Sequence, residues 1–224
     1  CLRDAACRPR YVVAHRTSCG GAPENSRAGV TCAVESGIPL IETDVRSSAD
    51  GALFMLHDPK LDRTTSGSGL IAERTAAQLA AVKLANGESL PRFEDLYLRS
   101  RGRAVLVLDM KVDAVEQVAA VLAARGSFDD VVFFVSDAAT AATVRRLKAE
   151  RPGMLVMADR PEWALQGAAE LVQEDMPSYE QVEAMREKGV KVMASLEMVD
   201  NLPGFRRLVA EVLLKRRVDC ILTD

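Results

Sequence analysis

Eight short apolar runs, each about the length of a β-strand, recur along this chain and alternate with segments of helical pattern. Each run is rich in aliphatic or β-branched residues, which favour strands. The runs cover residues 11–15, 40–45, 105–111, 131–136, 155–159, 171–176, 190–196 and 220–224. Helices between successive strands imply parallel neighbours, because a parallel pair needs a long crossover. Eight such units predict a closed α/β structure, a (β/α)8 TIM-like barrel, and an open doubly wound sheet is the alternative.

The barrel prediction accounts for residues 1–224 as a single domain. The length suits one large domain, and 48% apolar residues are enough to bury a core. The last run reaches Asp224 with no helical segment after it, so we expect the barrel to lack its last helix. No apolar stretch approaches the roughly 18 residues needed to cross a bilayer, so no transmembrane segment is predicted.

Charge and cysteine content limit the expected partners and location. The formal net charge is -3 and no run of five or more Lys or Arg occurs, so a nucleic-acid partner is not expected. Cys1 and Cys7 could pair in an oxidising compartment, whereas Cys32 and Cys220 are expected to be buried small hydrophobic residues. We expect an extracytoplasmic location, periplasmic or secreted, in preference to a cytoplasmic one. The sequence sets no oligomeric state.

One connection is too short to contain a crossover helix. Only seven residues separate the second run from the apolar segment 53–57, and they include an Asp-Gly pair at positions 50 and 51. Asp-Gly between apolar runs is typical of a hairpin. The segment is therefore predicted to fold back antiparallel on the second strand, which brings His57 level with Glu42 and Asp44.

Glu42 and Asp44 share one face of the second predicted strand, because side chains alternate in direction and residues two apart lie about 6.6 Å from each other. Both acids would point into the barrel near its C-terminal mouth, where barrel enzymes place their sites. Asp109 and Lys111 have the same relation on the run 105–111. The structural alternatives are a solvent-facing acid pair on an edge strand and a simple salt bridge between Asp109 and Lys111.

Both histidines of the chain lie at the ends of predicted strands. His15 precedes Arg16, and His57 precedes Asp58. A lone histidine at such a place is more often a structural residue, but two of them beside an acid pair favour acid–base chemistry. Carboxylates at this spacing can reach one oxygen-preferring cation. The sequence therefore predicts a site that combines a divalent cation with two titratable histidines.

A series of short motifs runs in order through essentially the whole chain. The motifs are His15-Arg16, Pro23-Glu24-Asn25, Glu42-Thr43-Asp44-Val45, Asp50-Gly51, His57-Asp58, Arg63-Thr64-Thr65, Asp109-Met110-Lys111 and Leu222-Thr223-Asp224. This ordered set resembles the glycerophosphodiester phosphodiesterase family, whose barrel is similar to that of phosphatidylinositol phosphodiesterases. The resemblance implies hydrolysis of small-molecule glycerophosphodiesters to glycerol 3-phosphate and an alcohol, with one divalent cation, Ca²⁺ or Mg²⁺.

The resemblance also implies a role for each candidate residue: an acid–base pair, three cation ligands and two phosphate-binding cations. The acid–base pair is His15 and His57. The cation ligands are Glu42, Asp44 and Asp109, and the phosphate-binding residues are Arg16 and Lys111. With a divalent cation bound, the three carboxylates leave one negative charge, and a phosphodiester adds another. Two basic side chains would balance both charges.

Neighbouring residues have supporting roles in this interpretation. Asp58 is expected to orient His57, Glu24 to order the site and Arg63 to tie the long loop to the barrel. Asn25 is expected to cap the helix that follows it. Glu174 and Asp175, at the end of the sixth run, are weaker candidates for the pocket.

The chain departs from the family pattern at four places. The glycine that follows His-Arg in the family is Thr17 here, and the loop 18–21 directly after it is unusual for the family. The aromatic motif of the penultimate strand is replaced by the segment 194–196. Asp109 stands where the family often has Glu, which shortens the ligand by one methylene, a change that a calcium-sized site tolerates. The first three departures bear on the pocket for the glycerol and alcohol groups.

The expected mechanism needs one histidine to remove a proton from the nucleophile and the other to protonate the leaving alkoxide. The nucleophile is either water or the glycerol 2-hydroxyl, and either histidine can be the acid. One alternative function is a lipid phosphodiesterase of the lysophospholipase D or sphingomyelinase D type, which needs an apolar mouth for acyl chains. The other is a catalytically inactive barrel that binds phosphodiesters.

Overall fold

A computed structural model describes residues 1–4, 6–8, 10–125, 127–196, 199 and 203–224. The strands of these residues are β1 (Tyr11–Ala14), β2 (Leu40–Ser47), β3 (Leu53–Met55), β4 (Val105–Met110), β5 (Val131–Val135), β6 (Leu155–Ala158), β7 (Leu171–Glu174), β8 (Lys191–Ser195) and β9 (Cys220–Thr223). β1 pairs in parallel with both β2 and β9, which closes eight parallel strands into a ring. The ring confirms the predicted (β/α)8 barrel and excludes an open sheet.

Helices cover the outside of the ring. They are α1 (Arg27–Glu35), α2 (Ala76–Leu79), α3 (Phe93–Ser100), α4 (Val115–Arg125), α5 (Ala138–Glu150), α6 (Pro161–Leu165), α7 (Tyr179–Glu187) and α8 (Pro203–Lys215). Their starts follow local capping chemistry: the Asp137 side chain accepts from the first backbone N–H groups of α5, and Ser178 forms a reciprocal capping box with Gln181. None of the helices in the described part of the chain has the length and hydrophobicity of a membrane-spanning segment.

Alternation along the strands separates two apolar layers. The layer under the helices includes Ile41 and Val45 of β2, packed in one cluster with Val30 of α1. The layer inside the ring consists of Leu2, Val13, Leu40, Val107, Val132, Phe134, Leu155, Met157, Leu171, Met193, Cys220 and Leu222. Because inward positions recur at every second residue, the next inward residues on each strand project into the C-terminal mouth.

β3 pairs antiparallel with β2 and lies outside the ring, as the Asp-Gly pair predicted. The turn places Gly51 at a φ of 78°, a left-handed conformation that glycine adopts without a steric penalty. After the turn, the Leu56 N–H donates to the Asp44 carbonyl oxygen at 3.1 Å. The hairpin therefore returns His57 to the part of β2 that carries the acids.

The Cys1–Cys7 disulfide closes a short N-terminal loop that covers the amino-terminal end of the barrel. Leu2 joins the interior apolar layer, and the Asp4 carbonyl oxygen accepts from the buried ammonium of Lys191 at 2.8 Å. Arg3 forms an ion pair with Asp129 at 2.9 Å. The N-terminal segment therefore packs against this end of the ring.

A second disulfide joins Cys19, in the loop after β1, to Cys32 of α1. The expectation that Cys32 is a buried hydrophobic residue was wrong, because the loop folds over α1 and brings the two Cα atoms to 5.7 Å. Closing a loop of this length stabilises the fold by about 3 kcal/mol. Cys220 is buried as expected, and burial raises the pKa of its thiol to about 12.

Candidate active site

The C-terminal mouth of the barrel is a polar cavity of about 260 Å³. Its lining residues are His15, Arg16, Glu42, Asp44, His57, Asp109, Lys111, Phe134, Ser136, Asp159, Gln173 and Leu222. All seven residues that the sequence singled out belong to this lining. Glu174 and Asp175 do not, and Gln173 of the same strand is there instead.

Glu42, Asp44 and Asp109 form a cluster in which one carboxylate oxygen of each residue lies within 4.8 Å of the others. Parallel pairing of β2 with β4 sets Asp44 directly beside Asp109. Glu42 and Asp44 are only 3% and 1% exposed. Burial, followed by the charges of Asp44 and Asp109, raises the pKa of Glu42 well above its usual value. The three carboxylates therefore carry more negative charge than their surroundings neutralise.

Lys111 partly compensates this negative charge. Its ammonium lies 2.5 Å from Asp109 Oδ2 and 3.2 Å from Asp44 Oδ1. Burial lowers the pKa of Lys111, but Asp109 and Asp44 outweigh that effect and raise it overall. Burial also raises the pKa of Asp109, although Lys111 acts against the increase. One ammonium among three acids leaves the cluster with net negative charge.

Donors from the loop after β1 hold the two buried acids of β2. The Arg16 backbone N–H donates to Glu42 Oε2 at 2.7 Å, and Asn25 Nδ2 donates to Asp44 Oδ2 at 2.8 Å. Asn25 Oδ1 also accepts from the Thr43 hydroxyl at 2.6 Å. These bonds fix the carboxylate orientations before any ligand arrives.

Asn25 is therefore not the helix cap that the sequence suggested. Its φ of 56° turns the side chain toward β2, and Ser26 caps α1 by accepting from the Gly29 N–H at 2.9 Å. Both residues are common cap residues, so local propensity could not separate them. Only the approach of β2 gives the Asn25 amide its partners.

Each histidine is bound through Nδ1 to an aspartate. His15 Nδ1 donates to Asp224 Oδ1 at 2.9 Å, and His57 Nδ1 donates to Asp58 Oδ1 at 2.7 Å. With Nδ1 held in this way, Nε2 is the ring nitrogen that can exchange a proton with a substrate. The role of Asp224 was missed, although it lies two residues beyond the inward-facing Leu222.

Arg63 holds Asp58, the aspartate that is hydrogen-bonded to His57. Its Nε donates to Asp58 Oδ2 at 2.6 Å, and this hydrogen bond holds the pKa of Asp58 well below its usual range. The two terminal nitrogens of Arg63 bind both carboxylate oxygens of Glu24 at 2.8 Å. A further donor, Arg46 Nε, bonds the His57 carbonyl oxygen at 2.9 Å. These contacts join the loop after β1 to the loop after β3.

The backbone at Arg16 and Thr17 is left-handed, with φ values of 46° and 64°. Such conformations cost roughly 1–3 kcal/mol for residues with a side chain, which gives a physical reason for the family's glycine at the Thr17 position. Thr17 gains a compensating bond, because its hydroxyl accepts from the Ser26 N–H at 3.1 Å. The turn also packs closely on Gly29, where a Cβ would lie 2.4 Å from the Thr17 carbonyl oxygen.

We predict that Gly29→Ala destabilises the protein by about 1–3 kcal/mol through this clash. Alanine is the better helix former by about 1 kcal/mol, so an increase in melting temperature would show that the turn moves aside without cost. Thermal unfolding measures the difference. Gly153→Ala is the matched control, because its added Cβ would meet its nearest neighbour, an Arg3 nitrogen, at an ordinary 3.7 Å.

The three-carboxylate cluster fits an oxygen-preferring divalent cation such as Ca²⁺ or Mg²⁺. All three donors are carboxylate oxygens, which hard cations prefer, and the raised pKa of Glu42 shows that positive charge at this place would be favourable. A site selective for zinc would instead use histidine or cysteine ligands.

We predict that Glu42 destabilises a chelated sample of the protein at neutral pH. The pKa of Glu42 in the folded state lies above its unfolded value, so its contribution to stability falls as pH rises through that interval. Glu42→Gln should therefore raise the melting temperature in chelator at pH 7. Wild type should gain about 5–10 °C with Ca²⁺ or Mg²⁺ at a hundredfold excess over Kd, and Glu42→Gln much less.

The control for this experiment is Glu35→Gln at an exposed position of α1, which should respond to the cation as wild type does. Equal cation-induced shifts in wild type and Glu42→Gln would contradict the assignment of Glu42 as a ligand.

Fold and site together define a (β/α)8-barrel protein whose mouth holds a cluster of three carboxylates and two aspartate-bound histidines. The sequence pattern of the glycerophosphoryl diester phosphodiesterase family matches residues 15–129, which are 115 of the 224 residues. The chain belongs to this family.

Individual relatives agree with the family assignment. A glycerophosphodiester phosphodiesterase of Caldanaerobacter subterraneus subsp. tengcongensis is 34% identical over 93 residues, which are 38% of this chain and 38% of the relative. This chain covers less than half of the length of the curated relatives that it matches.

Solved structures match over more of the chain. A glycerophosphodiester phosphodiesterase from Agrobacterium tumefaciens str. C58 has a TM-score of 0.79 and 27% identity, covering 95% of this chain and 94% of its own. An Oleispira antarctica phosphodiesterase, solved in complex with its product sn-glycerol-3-phosphate, has a TM-score of 0.78 and 24% identity, covering 96% and 92%. At 24% identity, the similarity to the Oleispira antarctica structure shows a shared fold alone.

Proposed function

We propose that this protein hydrolyses small glycerophosphodiesters to glycerol 3-phosphate and an alcohol with the help of one divalent cation. The observation that carries the proposal is a single mouth in which three clustered carboxylates lie beside two histidines, each with Nδ1 bound to an aspartate. Membership of the family and the names of the relatives support the same activity.

Glu42, Asp44 and Asp109 would hold the cation. When bound there, a divalent cation would polarise a nonbridging phosphate oxygen and stabilise the charge of the transition state. The donors of Arg16 and Asn25 keep two of these ligands oriented, as metal ligands require. Comparing the melting shifts with Ca²⁺ and with Mg²⁺ identifies the ion that binds more tightly.

Arg16 and Lys111 would bind the phosphate. Arg16 Nε is buried and has no hydrogen-bond acceptor within the part of the chain that the structure describes. It lies 4.0 Å from Asp44 Oδ2, next to the proposed cation ligands. Lys111 projects into the same cavity from the end of β4. Both positive charges can therefore meet a phosphate bound at the carboxylate cluster.

His15 and His57 would exchange protons with the substrate through Nε2. One histidine takes a proton from the nucleophile, and the other gives a proton to the alkoxide that leaves phosphorus. Overall, the bond between phosphorus and the alcohol oxygen breaks, and an oxygen atom from water ends on the phosphate. Asp58 and Asp224 hold the orientation of the two rings through their Nδ1 atoms.

The lining favours this function over the two alternatives. Phe134 and Leu222 are the apolar side chains of the cavity, and both belong to the interior layer of the barrel. This offers little surface for an acyl chain, so a small diester is preferred over a lipid. A barrel that only binds diesters has no need for two aspartate-bound histidines at the cation site.

We predict that His15→Ala and His57→Ala each lower kcat/KM for a glycerophosphodiester by about 10²–10⁴-fold, because each removes one proton-transfer group. Release of glycerol 3-phosphate measures the rate. The wild-type pH profile should be bell-shaped, since one histidine must be neutral and the other protonated.

The melting temperature and its shift with Ca²⁺ or Mg²⁺ serve as folding controls for both histidine variants, because neither histidine is a proposed ligand. Near-wild-type activity in either variant, or a wild-type rate that only rises with pH, would contradict the two-histidine scheme.

We also propose an extracytoplasmic location. The support is that disulfides join four of the five cysteines, and such bonds persist mainly in oxidising compartments. Thiol titration of protein denatured without reductant, after isolation from its own cell fraction, should give one thiol, that of Cys220. A reduced sample is the control and should give five. Five thiols without reductant would contradict the proposal.

A further inference from the structure

We propose that the wall of the mouth formed by Ser136, Asp159 and Gln173 binds the leaving alcohol of the diester and selects an alcohol that carries a primary ammonium group. This subsite rests on the proposed function and names the substrate class for the same cavity. None of its three residues has a part in the cation, phosphate or proton-transfer chemistry described above.

The three residues form one layer of the barrel. Inward positions alternate along the strands, so Ser136 follows Phe134 of β5, Asp159 follows Met157 of β6, and Gln173 follows Leu171 of β7. In the closed ring, β6 and β7 lie across the barrel from β1 and β2, which carry His15, Glu42 and Asp44. A diester with its phosphate at the acids therefore directs one substituent toward this wall.

The wall offers hydrogen-bond acceptors. Gln173 Oε1 is buried and has no donor among the residues that the structure describes. A buried acceptor without a donor is unfavourable, so a ligand N–H at this point would relieve it. The Asp159 backbone N–H donates to the Val135 carbonyl oxygen at 3.3 Å, so Asp159 and the exposed Ser136 are neighbouring positions just past the ends of β6 and β5. Carboxylate, amide oxygen and hydroxyl can all accept from one cationic group.

The charge around the wall is negative. Glu162 interacts electrostatically with both Asp159 and Glu174, and Asp137 also acts on Asp159. The opposing positive charge is Arg160, whose Nε is 3.7 Å from Asp159 Oδ1 and whose guanidinium lies 5.1 Å above the Trp163 ring. The cation site and Arg16 attract the phosphate at one side of the cavity, and this acidic side attracts a positive charge.

A primary ammonium fits this wall better than a quaternary one. An R–NH₃⁺ group has three N–H donors, whereas a trimethylammonium group has none and is usually bound on exposed aromatic faces. Phe134 is the aromatic residue of the described lining, and it is only 6% exposed. A neutral polyol could use the acceptors but would gain nothing from the negative charge. The fitting substrate is therefore of the glycerophosphoethanolamine type.

The test compares kcat/KM for glycerophosphoethanolamine, glycerophosphocholine and glycerophosphoglycerol. Wild type should prefer the ethanolamine diester over both others. Asp159→Asn should lower the preference for the ethanolamine diester over the glycerol diester by about tenfold, the worth of one charged hydrogen bond. Gln173→Leu should also lower the preference for the ethanolamine diester over the glycerol diester. Asp129→Asn, the same change at the opposite end of the barrel, should leave the preference unchanged.

Binding of phosphoethanolamine and phosphocholine by calorimetry separates the subsite from the hydrolytic function. If phosphoethanolamine binds more tightly than phosphocholine and Asp159→Asn abolishes the difference, the subsite is supported. Failure of wild type to hydrolyse any of the diesters would overturn only the proposed function. Hydrolysis with equal rates on the three diesters, or with a preference that Asp159→Asn and Gln173→Leu both leave unchanged, overturns the subsite.

Discussion

The mutual repulsion of three carboxylates buried at one end of the barrel is the constraint on which the rest of the site depends. Glu42 and Asp44 come from one strand and Asp109 from its neighbour, so parallel pairing forces them together. The surrounding chain supplies donors and one ammonium but leaves a deficit of positive charge. Burial, together with the charges of Asp44 and Asp109, raises the pKa of Glu42. The same deficit is what makes the place suitable for a divalent cation and an anionic substrate.

The loops that serve this cluster are tied to each other as well as to the barrel. Arg63 joins Glu24 of the first loop to Asp58, the partner of His57, so the two histidine-bearing segments share one ion-pair network. A left-handed turn aims the Arg16 N–H at Glu42, and a disulfide holds the chain just beyond that turn against α1. The strain of the turn is tolerated because these contacts over-determine it.

The ring geometry divides the mouth into two chemically different halves. Strands β1, β2 and β4 bring the groups suited to a cation and a phosphate, and strands β5 to β7 bring hydrogen-bond acceptors in an acidic setting. Because each strand contributes its next inward residue, a change at one position alters one half without moving the other. Under the proposed function, this separation would let the phosphate chemistry stay unchanged while the alcohol subsite varies.

Local sequence patterns were sufficient to predict the barrel and the hairpin, and they singled out residues that the structure brings together in one cavity. Strand alternation is a local property, and an Asp-Gly turn fixes where the chain folds back, so His57, Glu42 and Asp44 could be brought together without a structure. Asp109 and Lys111 follow from the same alternation on another strand.

The contacts of those residues depend on long-range packing, which local sequence patterns do not specify. Asn25 and Ser26 are equivalent as caps in sequence, and the approach of β2 assigns them different roles. Asp224 meets His15, and Cys19 meets Cys32, because barrel closure and loop packing join segments whose distance in sequence carries no signal. Gln173 rather than Glu174 faces the cavity because the strand register, which long-range pairing sets, selects which neighbour points inward.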